Sequence, residues 1–439
     1  MATEVKKYTK SNYITNIRYP YAKEWDKRNS HVEFEIANCI YPTVNAIRRL
    51  MISTVKSVGF RTEPYTACDV IVKINDTPIH NQIVAHRIAM IPINISKPES
   101  FDVDDYLFII EVSNNTNEII NITTEDFKIK QISTNKMLSR EEVKKFFPPE
   151  PNTGDYILID KLRPKYFTPS KHVSREIVSE MTKEFNKLIT GEDIMRFHIE
   201  AKASISNGSE NGHYSPVSCA SYINTVDPEK AAFGLKDYVD SQNELAKLKN
   251  VAPMSKEQMT KRFDLTERAR FFYTNDKGEP NVFTFKIESV EGIIPPLIIF
   301  HRSISILKDK IAIFVSNLVS KNEKAITIRP SDQLDGGYDI IVNDEDDTLG
   351  NIIQSHLCLL YADYSLPKEQ IKLKFIGYKK PHPLENYIVF AIQGLTDNLE
   401  ELINDIIKVG CSEIIKMLNK IQHSIEETHQ FINELKMIN

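Results

Sequence analysis

Apolar residues change their spacing several times along this chain, and each change marks a predicted element. His31 to Ala37 sets Val32, Phe34 and Ile36 on alternate positions, the period of a half-buried strand. Over residues 41–58 the period becomes helical. Val44, Ile47, Met51 and Val55 recur at three and four residues, giving one buried stripe with Arg48 on another face, and Gly59 is expected to close the helix. Val70, Val72 and Ile74 restore the strand period, and residues 81–89 predict a short helix that must stop before Pro92. Residues 101–110 and 118–122 read as β-rich, with Asn114-Asn115 as a turn. The cluster Pro148-Pro149-Glu150-Pro151 breaks the chain before a strand over 156–159. A helix is expected over 173–188 and strands over 197–205 and 282–287. Residues 227–270 are charged and helical in pattern, are interrupted near Pro253, and read as a peripheral insertion.

Two helical stripes are unusually regular. From Leu297 the positions Phe300, Ile304, Leu307, Ile311, Phe314 and Leu318 alternate spacings of three and four, a heptad seam that demands a partner helix. The C-terminal stretch from Asp397 runs through Ile414, Met417, Ile421, Ile425, Phe431 and Leu435, with Asp397 and Glu400 at capping-box spacing. As one uninterrupted helix it would approach 60 Å, at ~1.5 Å per residue. A small domain alone cannot cover such stripes, so each must pack against another unit. Residues 320–329 read as a short polar linker, which would hold the second half beside the first at an effective concentration on the order of millimolar.

Composition adds limits. A chain of 439 residues with 41% hydrophobic and 26% charged residues buries proper cores, in roughly three domains. A net charge of -5 argues against a surface devoted to nucleic acid. Residues 1–12 are polar, so no secretory signal is expected, and apolar runs such as 293–300 fall short of the ~20 residues that span a bilayer. The expected compartment is cytosolic or nuclear. Cys39, Cys68, Cys219, Cys358 and Cys411 include no close pair of the kind that structural zinc requires, and are expected to be buried free thiols.

Catalytic signatures are missing. No glycine precedes a lysine and no two glycines flank a single residue, which excludes Walker A and G-x-G fingerprints; G-x-S-x-G and H-E-x-x-H are absent too. The run Asp344-Glu345-Asp346-Asp347 lacks calcium-loop spacing, and is expected to be a solvated loop whose charge favours the N-terminus of the helix that follows. Neighbouring helical residues point about 100° apart, so at most one of Arg48 and Arg49 shares the buried stripe. His80 and His86 are expected to be hydrogen-bonded structural residues, and neither a cofactor nor a metal site is expected.

Two stretches carry more specific information. Thr43-Val44-Asn45-Ala46-Ile47-Arg48-Arg49-Leu50-Met51 resembles the third-largest-subunit type of alpha-like subunit of multisubunit, DNA-directed RNA polymerases. Asp347-Thr348-Leu349-Gly350-Asn351-Ile352-Ile353, with Phe375-Ile376-Gly377-Tyr378-Lys379-Lys380-Pro381-His382-Pro383, resembles the small eleventh-subunit type. Further blocks of the first type follow in order: residues 75–93 with their His86-Arg87 pattern, Thr123-Thr124-Glu125-Asp126, residues 157–164, Gly212-His213-Tyr214-Ser215-Pro216-Val217 with Tyr214 where Trp is common, and residues 283–290. Zinc cysteines are missing, residues 171–190 and 227–275 are added, and the acidic motif that holds catalytic Mg²⁺ in the largest polymerase subunit is absent.

The resemblance implies an α+β fold made of two alpha-like dimerisation domains in an intramolecular pseudo-dimer, the first interrupted by a β-rich insertion domain. The implied boundaries are 28–58 plus 280–325 for the first dimerisation domain, 59–226 for the β-rich insertion, 227–279 for a helical insertion or linker, and 330–439 for the second dimerisation domain. The implied pseudo-dimer interface comprises Ile47, Met51, Phe300, Ile304, Leu307, Ile311, Phe314, Leu349, Asn351, Ile352, Ile414, Met417 and Ile421. Asn45, Arg48, Arg49, His86 and Arg87 would face the large subunits, with Arg48 and Arg49 directed at the second-largest. Gly377, Tyr378, Lys379, Pro381, His382 and Pro383 carry the family motif. Gln354-Ser355 stands where the first half has its Arg pair, so the halves are expected to contact different partners. The implied role is a non-catalytic scaffold that seats the largest and second-largest subunits, with small zinc-binding subunits nearby, DNA and RNA met only through the complex, and no membrane partner. Such fusions are associated with large cytoplasmic DNA viruses, which implies a viral factory and virion location, or otherwise the nucleus. A helical adaptor unrelated to transcription is the alternative; it explains the heptads but not the ordered blocks.

Overall fold

The alternating apolar positions at the two ends of the chain build two four-stranded antiparallel sheets. The computed structural model describes residues 13–116, 118–164 and 194–438; the helix expected over 173–188 lies outside them. One sheet orders its strands Ile14–Arg18, His31–Ala37, Val282–Ser289, Val217–Asn224. The other runs Ile326–Pro330, Tyr338–Asn343, Tyr387–Gly394, Leu373–Lys379. In the first, Phe34 pairs with Phe285 and Ile36 with Phe283; in the second, Ile340 pairs with Phe390 and Val342 with Ile388. All eight of these side chains are at most 4% exposed. Period-two spacing thus delivers a full apolar face to each sheet.

The main helices are α1 (Tyr41–Ser53), α2 (Asn81–Ala89), α3 (Arg140–Phe146), α4 (Pro228–Leu248), α5 (Lys256–Thr266), α6 (Pro296–Val319), α7 (Asp347–Leu357), α8 (Lys408–Glu426) and α9 (His429–Ile438). Helices α1 and α6 serve the first sheet and α7 the second, while α8 packs on α6, on α7 and on the strand Ile14–Arg18 of the first sheet. Phe300 of α6 meets Phe34 edge-on at 4.9 Å between ring centroids, an arrangement favoured by the ring quadrupoles. Between the two ends lies a second core under the five-stranded sheet Val70–Asn75, Met195–Lys202, Tyr106–Asn114, Phe127–Gln131, Lys136–Met137, filled by Phe60, Phe108, Phe127, Phe147 and Phe197. Helices α4 and α5 pack on each other and bury little besides Ala231, Gly234, Met259 and Phe263. The chain is α+β.

Several expectations are corrected by local chemistry. Helix α1 stops at Ser53, not near Gly59, because residues Lys56–Gly59 pair as a strand with Ser204–Asn207. Gly59 is there for space: a Cβ on it would sit 3.0 Å from the Tyr214 ring. The C-terminal helix is not continuous. Thr428 turns its hydroxyl onto the Ile425 carbonyl at 2.6 Å and accepts from the Phe431 N–H at 3.3 Å, so a local cap replaces the helical ladder and α9 restarts. Asn398, not Asp397, caps the entry to this segment, accepting from the N–H groups of Glu400 and Glu401. A π-helical turn, Leu402–Ile407, then leads into α8. The last four residues of the expected linker 320–329 are strand, since Ile326–Pro330 forms a sheet edge. Cys39 and Cys411 are buried free thiols, but Cys219 is exposed, and Cys68 and Cys358 are half-buried.

Candidate functional site at the helical seam

The heptad positions of α6 find their partners inside this chain. Phe300, Ile304, Leu307, Ile311, Phe314 and Leu318 are each at most 3% exposed, and α6 packs against α1 on one side and α8 on the other. Ile47 and Met51 of α1, Leu349 and Ile352 of α7, and Ile414 and Ile421 of α8 are buried in the same continuous core, with Met417 half-buried against it. Burying one such side chain is worth about 1.5–3 kcal/mol, so the six positions of α6 dominate the energetics of the contact.

Polar groups fix the register of this apolar seam. Arg49 of α1 donates to Thr348 Oγ1 at 2.8 Å and to Asp346 Oδ2 at 3.1 Å, both at the start of α7. Burial pushes the Asp346 carboxyl up, but hydrogen bonds from Thr348 and Arg49 outweigh it and hold the group below its usual range. Thr43, fully buried on α1, shares a 2.8 Å hydrogen bond with His356 Nε2 of α7. Burial pushes the His356 pKa down to about 4, so the ring is neutral there at physiological pH. Lys310 of α6 pairs with Glu345 at 2.8 Å; burial raises that carboxyl's pKa and the lysine opposes it. Further along, Lys308 donates to Asn419 at 2.9 Å and to Gln422, while Gln422 donates to Ser305 at 3.0 Å.

The far end of the seam is closed by a buried carboxylate. Pro296 begins α6 and has no N–H, so the first free donors of that helix belong to Leu297 and Ile298. Glu434 of α9 accepts from both, at 2.9 and 3.3 Å, and its other oxygen accepts from the Tyr19 hydroxyl at 2.6 Å. It is 4% exposed. Burial pushes its pKa up to about 7, against the pull of Tyr19 and the two amides. The helix dipole favours negative charge at this position.

The residues expected to face large partners fall into two places. Arg48 donates to Asn45 at 3.0 Å along α1, and both are half-buried. Arg49 is committed to α7. His86 and Arg87 stand on α2, which belongs to the other core: His86 lies 3.6 Å from Glu63, and Arg87 donates to the Ile159 carbonyl at 2.9 Å. On α7, Asn351 accepts from Ser355 at 3.1 Å. The two pieces of the C-terminal motif meet: Tyr378 lies across Gly350, where a Cβ would come within 2.5 Å of the ring. Gly377 is half-buried; Lys379, the last residue of the strand Leu373–Lys379, is exposed, as are Pro381, His382 and Pro383 in the turn after it, with His382 Nδ1 accepting from the Leu384 N–H at 3.2 Å.

Sequence reasoning missed Thr43, His356, Thr348, Glu345, Gln422 and Glu434. For Glu434 a signal existed, since it falls three residues after Phe431 on the apolar stripe, where a charge must find partners; Leu435, which was expected there, is 40% exposed. His80 caps α2, accepting from the Gln82 N–H. Among the described residues no group of His, Cys, Asp or Glu could hold a metal ion, and Asp346 of the acidic run caps α7.

Models of one family, the RNA polymerase Rpb3/Rpb11 dimerisation domain, match residues 33–311 and residues 338–424. A protein of Tetrahymena thermophila named conjugation stage-specific protein is 27% identical over 121 residues, which cover 24% of this chain and 35% of that protein. The chain thus matches about a third of that relative's length.

Proposed function

We propose, from the premise that this chain belongs to the RNA polymerase Rpb3/Rpb11 dimerisation domain family, that it is a non-catalytic assembly subunit of a DNA-directed RNA polymerase with both partners of the dimer fused. The observation that carries the reading is the single apolar core formed by α1, α6, α7 and α8 under two sheets of matching design, one from each half. In this reading the halves form an intramolecular pseudo-dimer, the first of third-largest-subunit type, the second of eleventh-subunit type; the β-rich insertion is the core whose buried residues run from Val58 to Ala203 and not the whole of 59–226, because Val217–Asn224 pairs into the first sheet. Its chemistry is positional: the seam holds two different outer surfaces at a fixed angle. The surface around Asn45 and Arg48 and the one around His86 and Arg87 would seat the largest and second-largest subunits, with small zinc-binding subunits nearby. Arg49 serves the fusion itself. A viral source, with assembly in a cytoplasmic factory and packaging in the virion, belongs to the same proposal.

The test is the stoichiometry of the assembly that co-purifies with the tagged chain in high salt, read by mass spectrometry. One copy with both large polymerase subunits is the expected result. Two copies, or no polymerase subunit, would overturn the reading.

A further inference from the structure

The strand Leu373–Lys379 is the last in its sheet and is paired on one side only, with Tyr387–Gly394. Alternate N–H and C=O groups of an antiparallel edge point away from the sheet, and along 374–379 these have no backbone partner among the described residues. Around this edge the chain turns basic. Residues 364–387 contain Lys368, Lys372, Lys374, Lys379 and Lys380 against Glu369 and Glu385, in a protein whose net charge is -5. None of these lysines has an ion-pair partner among the described residues; Lys372 lies over the Tyr361 ring. Lysines on an edge ordinarily deter pairing. Here the deterrent is contradicted by apolar groups set among them: Phe375 is 45% exposed, Tyr364 88% and Leu384 89%.

We infer that this edge is a docking site for an extended, acidic segment of another polypeptide, which adds as a fifth strand. The pairing register shifts between Leu373 and Phe375, which leaves Lys374 at a bulge and Phe375, Gly377 and Lys379 together on one face of the regular edge. Main-chain hydrogen bonds would supply affinity without sequence preference, and carboxylates on that same face would meet Lys379 and, at the bulge, Lys374. Phe375 shares the face of Lys379 and would pack on the methylene groups of a glutamate side chain opposite it. The inference goes beyond the assembly role and does not depend on it, since the edge belongs to the second half alone.

The test uses the purified full chain and a fluorescent peptide of about eight residues, an ordinary strand length, alternating glutamate with valine. Saturable binding is expected, weakened tenfold or more by Lys374→Glu with Lys379→Glu, and separately weakened by Phe375→Ala. All three positions are exposed, so the circular dichroism of the variants should not change. A peptide of the same charge with proline at every second residue cannot extend the sheet and should not bind. Equal binding of the proline peptide would reduce the site to charge alone and overturn the inference, as would indifference of the first peptide to the lysine changes. Tighter binding of single-stranded DNA of about twelve nucleotides, lost with the same lysine changes, would instead assign the face to nucleic acid.

Discussion

Glu434 shows how one side chain couples helix packing to pH. Its pKa is raised from 4.5 to about 7, so the folded state holds a proton that the unfolded chain has released. The associated stability is present in full below pH 4.5 and is lost as pH rises through 7, at roughly 1.4 kcal/mol per unit in that window. His356 has the opposite sign. Its pKa is lowered from 6.5 to about 4, so its contribution is present above 6.5 and is lost as pH falls toward 4. Urea denaturation between pH 5 and 8 should therefore show Glu434→Gln losing the alkaline decline and His356→Asn losing the acid one. A profile unchanged by both would show that neither group is held as described. Gly350 gives a steric case. Gly350→Ala should cost about 1–3 kcal/mol in the same assay, because the Cβ lands on the Tyr378 ring, and Tyr378→Ala in the same chain should relieve part of the loss.

Helices here are satisfied by neighbours more than by their own propensity. Helix α6 buries residues against its own sheet, α1 and α8 at once, so a cavity at its centre is felt on every side. Leu307→Ala should cost about 2–5 kcal/mol. Asn317→Ala, near the end of the same helix and half-buried, should cost well under half as much. Similar losses would mean that α6 is not the central element of the core. The surface pair Arg49–Asp346 contributes less, since both side chains are about two-fifths exposed and water screens them; its part is to fix how α1 meets α7.

At the scale of the whole molecule the two halves share one core, and unfolding should follow from that. Cleavage within 321–325, as by a protease site inserted there, should leave the halves associated and unfolding in one transition, because the seam rather than the connection holds them. Each half expressed alone should aggregate, with its face of the α6 and α8 seam exposed to solvent. Two independent transitions in the cleaved chain, or soluble monomeric halves, would contradict a shared core.

Much of this architecture was legible in periodicity. The strand at Val32, Phe34 and Ile36 and the heptads of α6 lie where spacing put them, because one buried face imposes its period on the residues that fill it. The motif pieces at Gly350 and Tyr378 were visible separately, but no spacing shows that one covers the other. Sequence by itself determined which residues are apolar, how often they recur, and hence that long helices needed partners. Tertiary structure alone decided that α6 meets α1 and α8 of its own chain, that Arg49 crosses to α7, that Thr428 breaks the last helix, and that Glu434 reaches the α6 N-terminus. Those outcomes rest on contacts between residues up to 415 positions apart, as between Tyr19 and Glu434, and local spacing contains no information about which distant surface will desolvate a given side chain.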